Sequence, residues 1–346
     1  MNNKILEKNK FLIILFSLII LLITSFIVSI CVGSQKISLN DLLQILNLEK
    51  QENIDNKILM LKNIILKIRI PRSLLVMFTG FTLAGAGCIF QGFFRNPLAE
   101  PGIMGVTSGA TLGAVCSLLL PSFFIFKFIQ SISFFAFVGA ILSGLIIFLL
   151  SKKANGYTSS SSVILTGTAL GTLFSSITSI ILLSKQNQLH SIYVWLLGSF
   201  SGKGWNEFYF LIIPFCVSLI MIFISGKYLD LLSVGEISAQ TLGLNIKRTR
   251  FLVLITGSIC VSCVVCAGGT IGFVGLISPH IIRILFSSRH KYLIPLSIIF
   301  GGCLLLISDT IARVILSPIE LPVGVITSLL GSPFFISLIF SRQKDL

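Results

Sequence analysis

The chain has 346 residues, of which 54% are hydrophobic and 11% charged, with a mean hydropathy of +1.00. Soluble domains carry roughly 25% charged residues, so this composition excludes a string of soluble domains and makes lipid the solvent for most of the chain. The formal net charge of +14 would invite a nucleic-acid reading in a soluble protein; here basic residues flank hydrophobic runs, as membrane topology demands, and no nucleic-acid partner is expected.

A bilayer core about 30 Å thick needs roughly 20 apolar residues per helix. That rule predicts an all-α, polytopic, single membrane-spanning domain over 1–346, with ten spans: 11–31, 72–94, 102–120, 131–151, 161–184, 206–226, 248–267, 276–288, 293–313 and 322–341. The first run follows Lys4, Lys8 and Lys10 and is too long for a signal-peptide core, so it is read as a retained span. The eighth is short and carries Pro279, His280 and Arg283. An even number of spans with a basic N-terminus puts both termini in the cytoplasm, and the inside segments then hold 15 of the 26 Lys and Arg.

Between the first two spans, 32–71 reads as an extracytoplasmic segment, with a short amphipathic helix expected over Ser38 to Leu46. Seven positive charges lie in 32–72; facing outward, they suggest a surface for an acidic partner. The second span is rich in small residues, Gly80, Ala84, Gly85, Ala86 and Gly87, which let helices approach closely. It runs into Asn96-Pro97-Leu98-Ala99-Glu100-Pro101-Gly102, a non-helical connection that must be buried or line a water-filled cavity. Pro97, Pro101 and Pro279 are read as structural breaks. Arg72, Gly80 and Pro101 recur as Arg250, Gly257 and Pro279 with the same 29-residue Arg-to-Pro interval and opposite orientation, the pattern of two inverted pseudo-repeats.

The block RIPRSLLVMFTGFTLAGAGCIFQGFFRNPLAEPGIMGVTSGA (69–110) resembles the FecCD-type permeases of ABC importers for iron-siderophore, haem and cobalamin substrates. The resemblance runs from about residue 33 to the C-terminus through WLLGSFSGKGW (195–205), VGEISAQTLGL (234–244), GGTIGFVGLISPHIIR (268–283), GGCLLLISDTIAR (301–313) and ELPVGVITSLLGSPFF (320–335). It implies a multi-pass permease of the bacterial cytoplasmic (inner) membrane that forms a homodimer, engages two cytoplasmic ATPase subunits and an extracytoplasmic substrate-binding protein, and passes an iron-siderophore-type substrate along the dimer axis. ATP and Mg would reside on the partner ATPase, with no cofactor in this chain.

The same resemblance assigns Arg69, Arg72 and Arg313 to outward-facing docking of the binding protein, where guanidinium forks suit carboxylates. It assigns Glu236, Ile237, Ala239, Leu242 and Gly243, within a cytoplasmic segment 228–247, to coupling with the ATPase, Gly243 closing a short helix in a left-handed cap. Asn96, Leu98, Ser160 and Ser161 become cytoplasmic gate positions. Asp309, four residues before Arg313, is expected to pair with it along one helix face.

Other features read as structural. Gly109-x3-Gly113 and Gly167-x3-Gly171 are close-packing patterns. Cys260, Cys263 and Cys266 lie in a continuous apolar helix pattern and read as packing residues rather than an iron-sulfur set. His280 reads as a structural histidine. Gly198 to Gly204 only superficially resembles a phosphate loop, since its glycine spacing is one short and no Ser or Thr follows Lys203. With no nucleophile, paired-carboxylate or metal-ligand set at catalytic spacing, no enzymatic activity is expected. The alternative class is an ion-gradient-coupled secondary transporter, for which inverted repeats would be equally natural.

Overall fold

A computed structural model describes residues 2–33, 35, 56–100, 102, 105–119, 131–151, 160–184, 189–233 and 235–343. Most of the described residues are helical, with no strand among them. In chain order the helices are α1 (Asn2–Cys31), α2 (Asn56–Ile64), α3 (Ile70–Phe94), α4 (Val106–Cys116), α5 (Ser131–Leu150), α6 (Ser160–Ser184), α7 (Leu189–Leu196), α8 (Trp205–Ser233), α9 (Glu236–Thr241), α10 (Ile246–Gly268), α11 (Val274–Leu285), α12 (His290–Val314) and α13 (Val323–Gln343).

Each of the ten expected spans has its helix, and among the described residues seven stretches are long and apolar enough to cross a membrane. The exceptions are informative. α4 and α11 have 11 and 12 residues, about 16–18 Å at 1.5 Å per residue, roughly half the hydrocarbon thickness. Each follows a left-handed residue, Gly105 at φ +72° and Phe273 at φ +66°. Each also follows a full-length helix, α3 or α10. Leu75 and Val76 share an apolar cluster with Cys263 and Cys266, and Phe90 and Phe93 share one with Val253 and Leu254. The two long helices therefore run in opposite directions, which is the physical form of the inverted repeat.

The repeat differs from expectation in where the second chain break falls. Pro279 lies inside α11 and the helix continues through it. A proline there removes the N–H that would bond the carbonyl four residues earlier; that carbonyl, Gly275 O, instead accepts from Gln91 Nε2 at 3.2 Å. The break is at Phe273. Pro101 and the segment Ser38 to Leu46 lie outside the described residues.

α3 is the central helix and packs against α8, α10, α11 and α12. Its small residues are what permit this. A Cβ built on Gly87 would lie 1.8 Å from Gly275 O, and one on Gly80 2.5 Å from Gly301 O, so any side chain at either point collides with backbone. Gly109 and Gly113 likewise face Gly139 and Phe135 carbonyls on α5. Cys260, Cys263 and Cys266 are all buried within the apolar packing of α10.

Helix structure also begins earlier than the expected second span. From Asn56 it passes through a π-helical turn, Ile65–Arg69, directly into α3. Ile58–Phe94 spans 37 residues, about 55 Å, so the rod projects well beyond a hydrocarbon core of about 30 Å. The projecting turn is tied down by Trp205, whose Nε1–H donates to Leu66 O at 2.8 Å.

Candidate functional site: an outer arginine network and an inner coupling segment

The sidedness assigned from the sequence places the start of α3 and the end of α12 outside. There Arg69, Arg72 and Arg313 come together, as the sequence grouped them, but their guanidinium groups are turned into the protein. All three residues are only 5–6% exposed. Arg72 reaches Asp309 Oδ1 at 2.9 Å and Glu320 Oε2 at 2.8 Å. Arg313 lies 3.1 Å from Asp309 Oδ2 through Nε and donates to the Ser29 carbonyl and hydroxyl at 2.9 Å. Arg69, at the end of the π-helical turn, donates to the Ile30 and Cys31 carbonyls at 2.6 and 2.9 Å and to that of Gln35.

Burial of these forks follows from their partners. Asp309 is fully buried, and a buried carboxylate demands cations at hydrogen-bond range. The expected Asp309–Arg313 pair is present; the second cation, Arg72, is 237 residues away in sequence, a separation no local pattern reports. The three arginines and two carboxylates leave one positive charge in excess. Glu320, at 32% side-chain exposure, is the solvent-facing member, and it just precedes α13.

The inner end is built differently. α9 closes in a Schellman cap: Gly243 at φ +84° donates to Gln240 O at 2.9 Å and Leu244 N–H to Ala239 O at 3.0 Å. Ala239 is buried, whereas Ile237 and Leu242 are 80% and 64% exposed. Glu236 opens the helix, its side chain outside the described residues. A short rigid helix thus presents two apolar side chains to the surface.

The gate positions occupy the neighbouring loop and the start of α6. Asn96 folds the loop on itself, its Oδ1 accepting from Leu98 N–H at 3.0 Å and its carbonyl from Ala99 N–H at 3.1 Å, an Asx turn with Pro97 inside it. Ser160 begins α6 with its side chain outside the described residues, and Ser161 is exposed. Further along α6, Thr168, Thr172, Ser176 and Ser179 are exposed, each donating to a carbonyl three or four residues back. A cavity of about 720 Å³ lies among α3, α4, α10, α13 and the loop before α11, lined by Leu83, Glu100, Thr107, Val264, Gly272 and Ser328 among others.

Two other motifs resolve structurally. His280 packs edge-on against Phe334, ring centroids 5.7 Å apart. Lys203 points its Nζ at Ser133 Oγ, 3.4 Å away; burial pushes its ammonium below the usual lysine range, with the Glu207 charge opposing. That lysine is folded back onto α5 rather than held over a phosphate-sized loop.

The family model for the FecCD transport family matches residues 20–341. The chain belongs to the FecCD transport family. The cobalamin import system permease of Halobacterium salinarum is 36% identical, over 80% of this chain and 73% of that protein. The Fe(3+) dicitrate transport system permease of Escherichia coli K12 is 37% identical, over 80% of this chain and 85% of that protein. A solved ABC transporter described as of metal-chelate type, in an inward-facing conformation, superposes with a TM-score of 0.82 at 32% identity, covering 95% of this chain and 99% of that one. This FecCD member is therefore an ABC importer permease, a multi-pass protein of the cytoplasmic membrane.

Proposed function

We propose that this permease works as a homodimer that moves an iron-siderophore-type complex inward, driven by two ATPase subunits seated on α9 and supplied by a binding protein docked at the outer arginine network. The observation that carries the reading is the face of α9. Ile237 and Leu242 stand exposed on a helix whose opposite side is locked by a Schellman cap and buried Ala239, and covering two such side chains is worth about 1.5–3 kcal/mol each. A cytoplasmic partner with an apolar cleft fits that face. A capped helix of this kind is displaced as a unit when the partner moves, which is how ATP-driven closure would reach the membrane helices.

The hydroxyl-bearing face of α6 supports a path at the dimer axis. Hydroxyls that bond their own helix carbonyls tolerate either lipid or water, and a row of them suits a wall that releases cargo rather than grips it. The cavity volume falls in the roughly 300–1,000 Å³ range of small-molecule sites. The outer network carries one net positive charge, and although its guanidinium groups are buried and Glu320 faces solvent, that charge favours an acidic docking surface at long range. Cargo is the finer part of the reading, because the relatives named above carry cobalamin and ferric dicitrate. The test is a cargo panel: vesicles holding the permease, its ATPase and its binding protein are offered ferric siderophores, ferric citrate, haem and cobalamin. ATP-dependent uptake of a ferric siderophore in preference to the others is expected; preference for cobalamin or haem would overturn the assignment.

A further inference from the structure

The carbonyl of Leu232, near the end of α8, accepts two hydrogen bonds. One comes from Arg95 Nη2 at 2.6 Å and the other from Gly235 N–H at 3.1 Å. Gly235 is the N-cap of α9, and its own carbonyl accepts from Ala239 N–H at 2.9 Å. Arg95 is thus joined through one buried acceptor to the first turn of the helix that presents Ile237 and Leu242. Arg95 also terminates α3 in a left-handed conformation, φ +50°.

Five residues later, Glu100 Oε1 accepts from Phe273 N–H at 2.5 Å. Phe273 is the N-cap of α11, again left-handed, and Glu100 and Gly272 both line the cavity. Arg95 and Phe273 are the positive-φ non-glycine residues among those described, and backbone held there persists only where its surroundings over-determine it. Between the two anchors the Asn96 turn and buried Ala99 stiffen the segment. Residues 95–100 form a short strap, fixed at one end to the α9 segment and at the other to Phe273, whose preceding residues Ile271 and Gly272 line the cavity.

We propose that Arg95 and Glu100 are positioning residues through which displacement of α9 is carried to Phe273 and so to the adjoining cavity wall at Ile271 and Gly272. This rests on the reading that the ATPase seats on α9. Coupling of this sort requires a physical element that both sites bias, and it must be shown by perturbing the element.

The experiment measures ATP hydrolysed per cargo molecule taken up, in vesicles holding permease, ATPase and binding protein, for Arg95→Ala, Arg95→Lys, Glu100→Ala and Glu100→Gln. Lys keeps a donor at 95 and Gln keeps an acceptor at 100. The alanine variants should each raise the ratio by about five-fold, with Lys and Gln within about two-fold of wild type. The double alanine variant should be no worse than the worse single one, because both cut one strap. An unchanged ratio in both alanine variants, or Glu100→Gln as damaging as Glu100→Ala, would overturn the proposal. ATPase that still co-purifies with an Ile237→Ser, Leu242→Ser variant would instead remove the seating on α9, whatever the strap variants do, and the strap's role with it.

Discussion

The two ends of the permease are held together by different chemistry. Outside, α3 and α12 are fastened by buried side-chain ion pairs centred on Asp309, and α1 joins them through Ser29, which accepts from Arg313 and lies 2.8 Å from the Ser73 hydroxyl. Inside, the links to the coupling segment and to the start of α11 end on backbone groups: Arg95 on the Leu232 carbonyl and Glu100 on the Phe273 amide, beside a capped, exposed six-residue helix. A buried charge network has no good intermediate state, because opening it strands charges in a low-dielectric site. Single hydrogen bonds to carbonyls and amides can shift as a unit with the loop that bears them. The outer end thus has the build of a clamp and the inner end that of a hinge.

The largest effect is expected when the centre of the clamp is removed. Asp309→Ala leaves two buried guanidinium groups short of a carboxylate and should cost about 3–5 kcal/mol, read as a large fall in the melting temperature of the detergent-solubilised protein. Its inner counterpart is Asp230, 40% exposed, whose carboxylate bonds His290 Nδ1 at 2.6 Å and its backbone N–H at 2.9 Å. Asp230→Ala should cost only about 1 kcal/mol. Equal losses would erase the distinction between clamp and hinge.

Next in size, Ile237→Ser with Leu242→Ser should leave the melting temperature unchanged while lowering ATPase retention in co-purification by about ten-fold or more, given about 1.5–3 kcal/mol per covered side chain. Gly243→Val then probes the backbone alone, since no atom lies within 4 Å of a Cβ built there. Forcing a β-branched residue to φ +84° costs about 1–3 kcal/mol, so ATP-driven uptake should drop several-fold, and Gly243→Asn, which tolerates that conformation, should restore most of it. The smallest effect is expected for Glu320→Gln. That carboxylate is a third exposed, so the loss should stay within about 1 kcal/mol, and a larger fall in melting temperature would place Glu320 inside the clamp rather than at its rim.

Periodicity and composition made the positions of the apolar helices, the tight faces around Gly80 and Gly87 and the Gly243 cap legible, because each rests on local rules of length, size and φ. The half-helices were less so: 12 apolar residues look alike whether they span, re-enter or stop midway. Pro279 misled for a related reason. A proline marks a break only when nothing replaces its missing hydrogen bond, and Gln91 supplies a donor to Gly275 O from a helix 184 residues away. The inward turn of Arg72 depends on Asp309 and Glu320, both distant in sequence. Arg95 and Glu100 stood in the quoted motif, yet their partners are a carbonyl and an amide, groups that every residue has and no motif can flag.

The proposed function makes this chain a passive conduit whose energy enters at α9. It is tested most directly by measuring cargo accumulation in vesicles that contain the permease alone, the permease with its ATPase and binding protein, and that complex with ATP withheld. Accumulation against a gradient only in the complete, ATP-fed vesicles is the predicted result, and accumulation by the permease alone under an imposed ion gradient would contradict it.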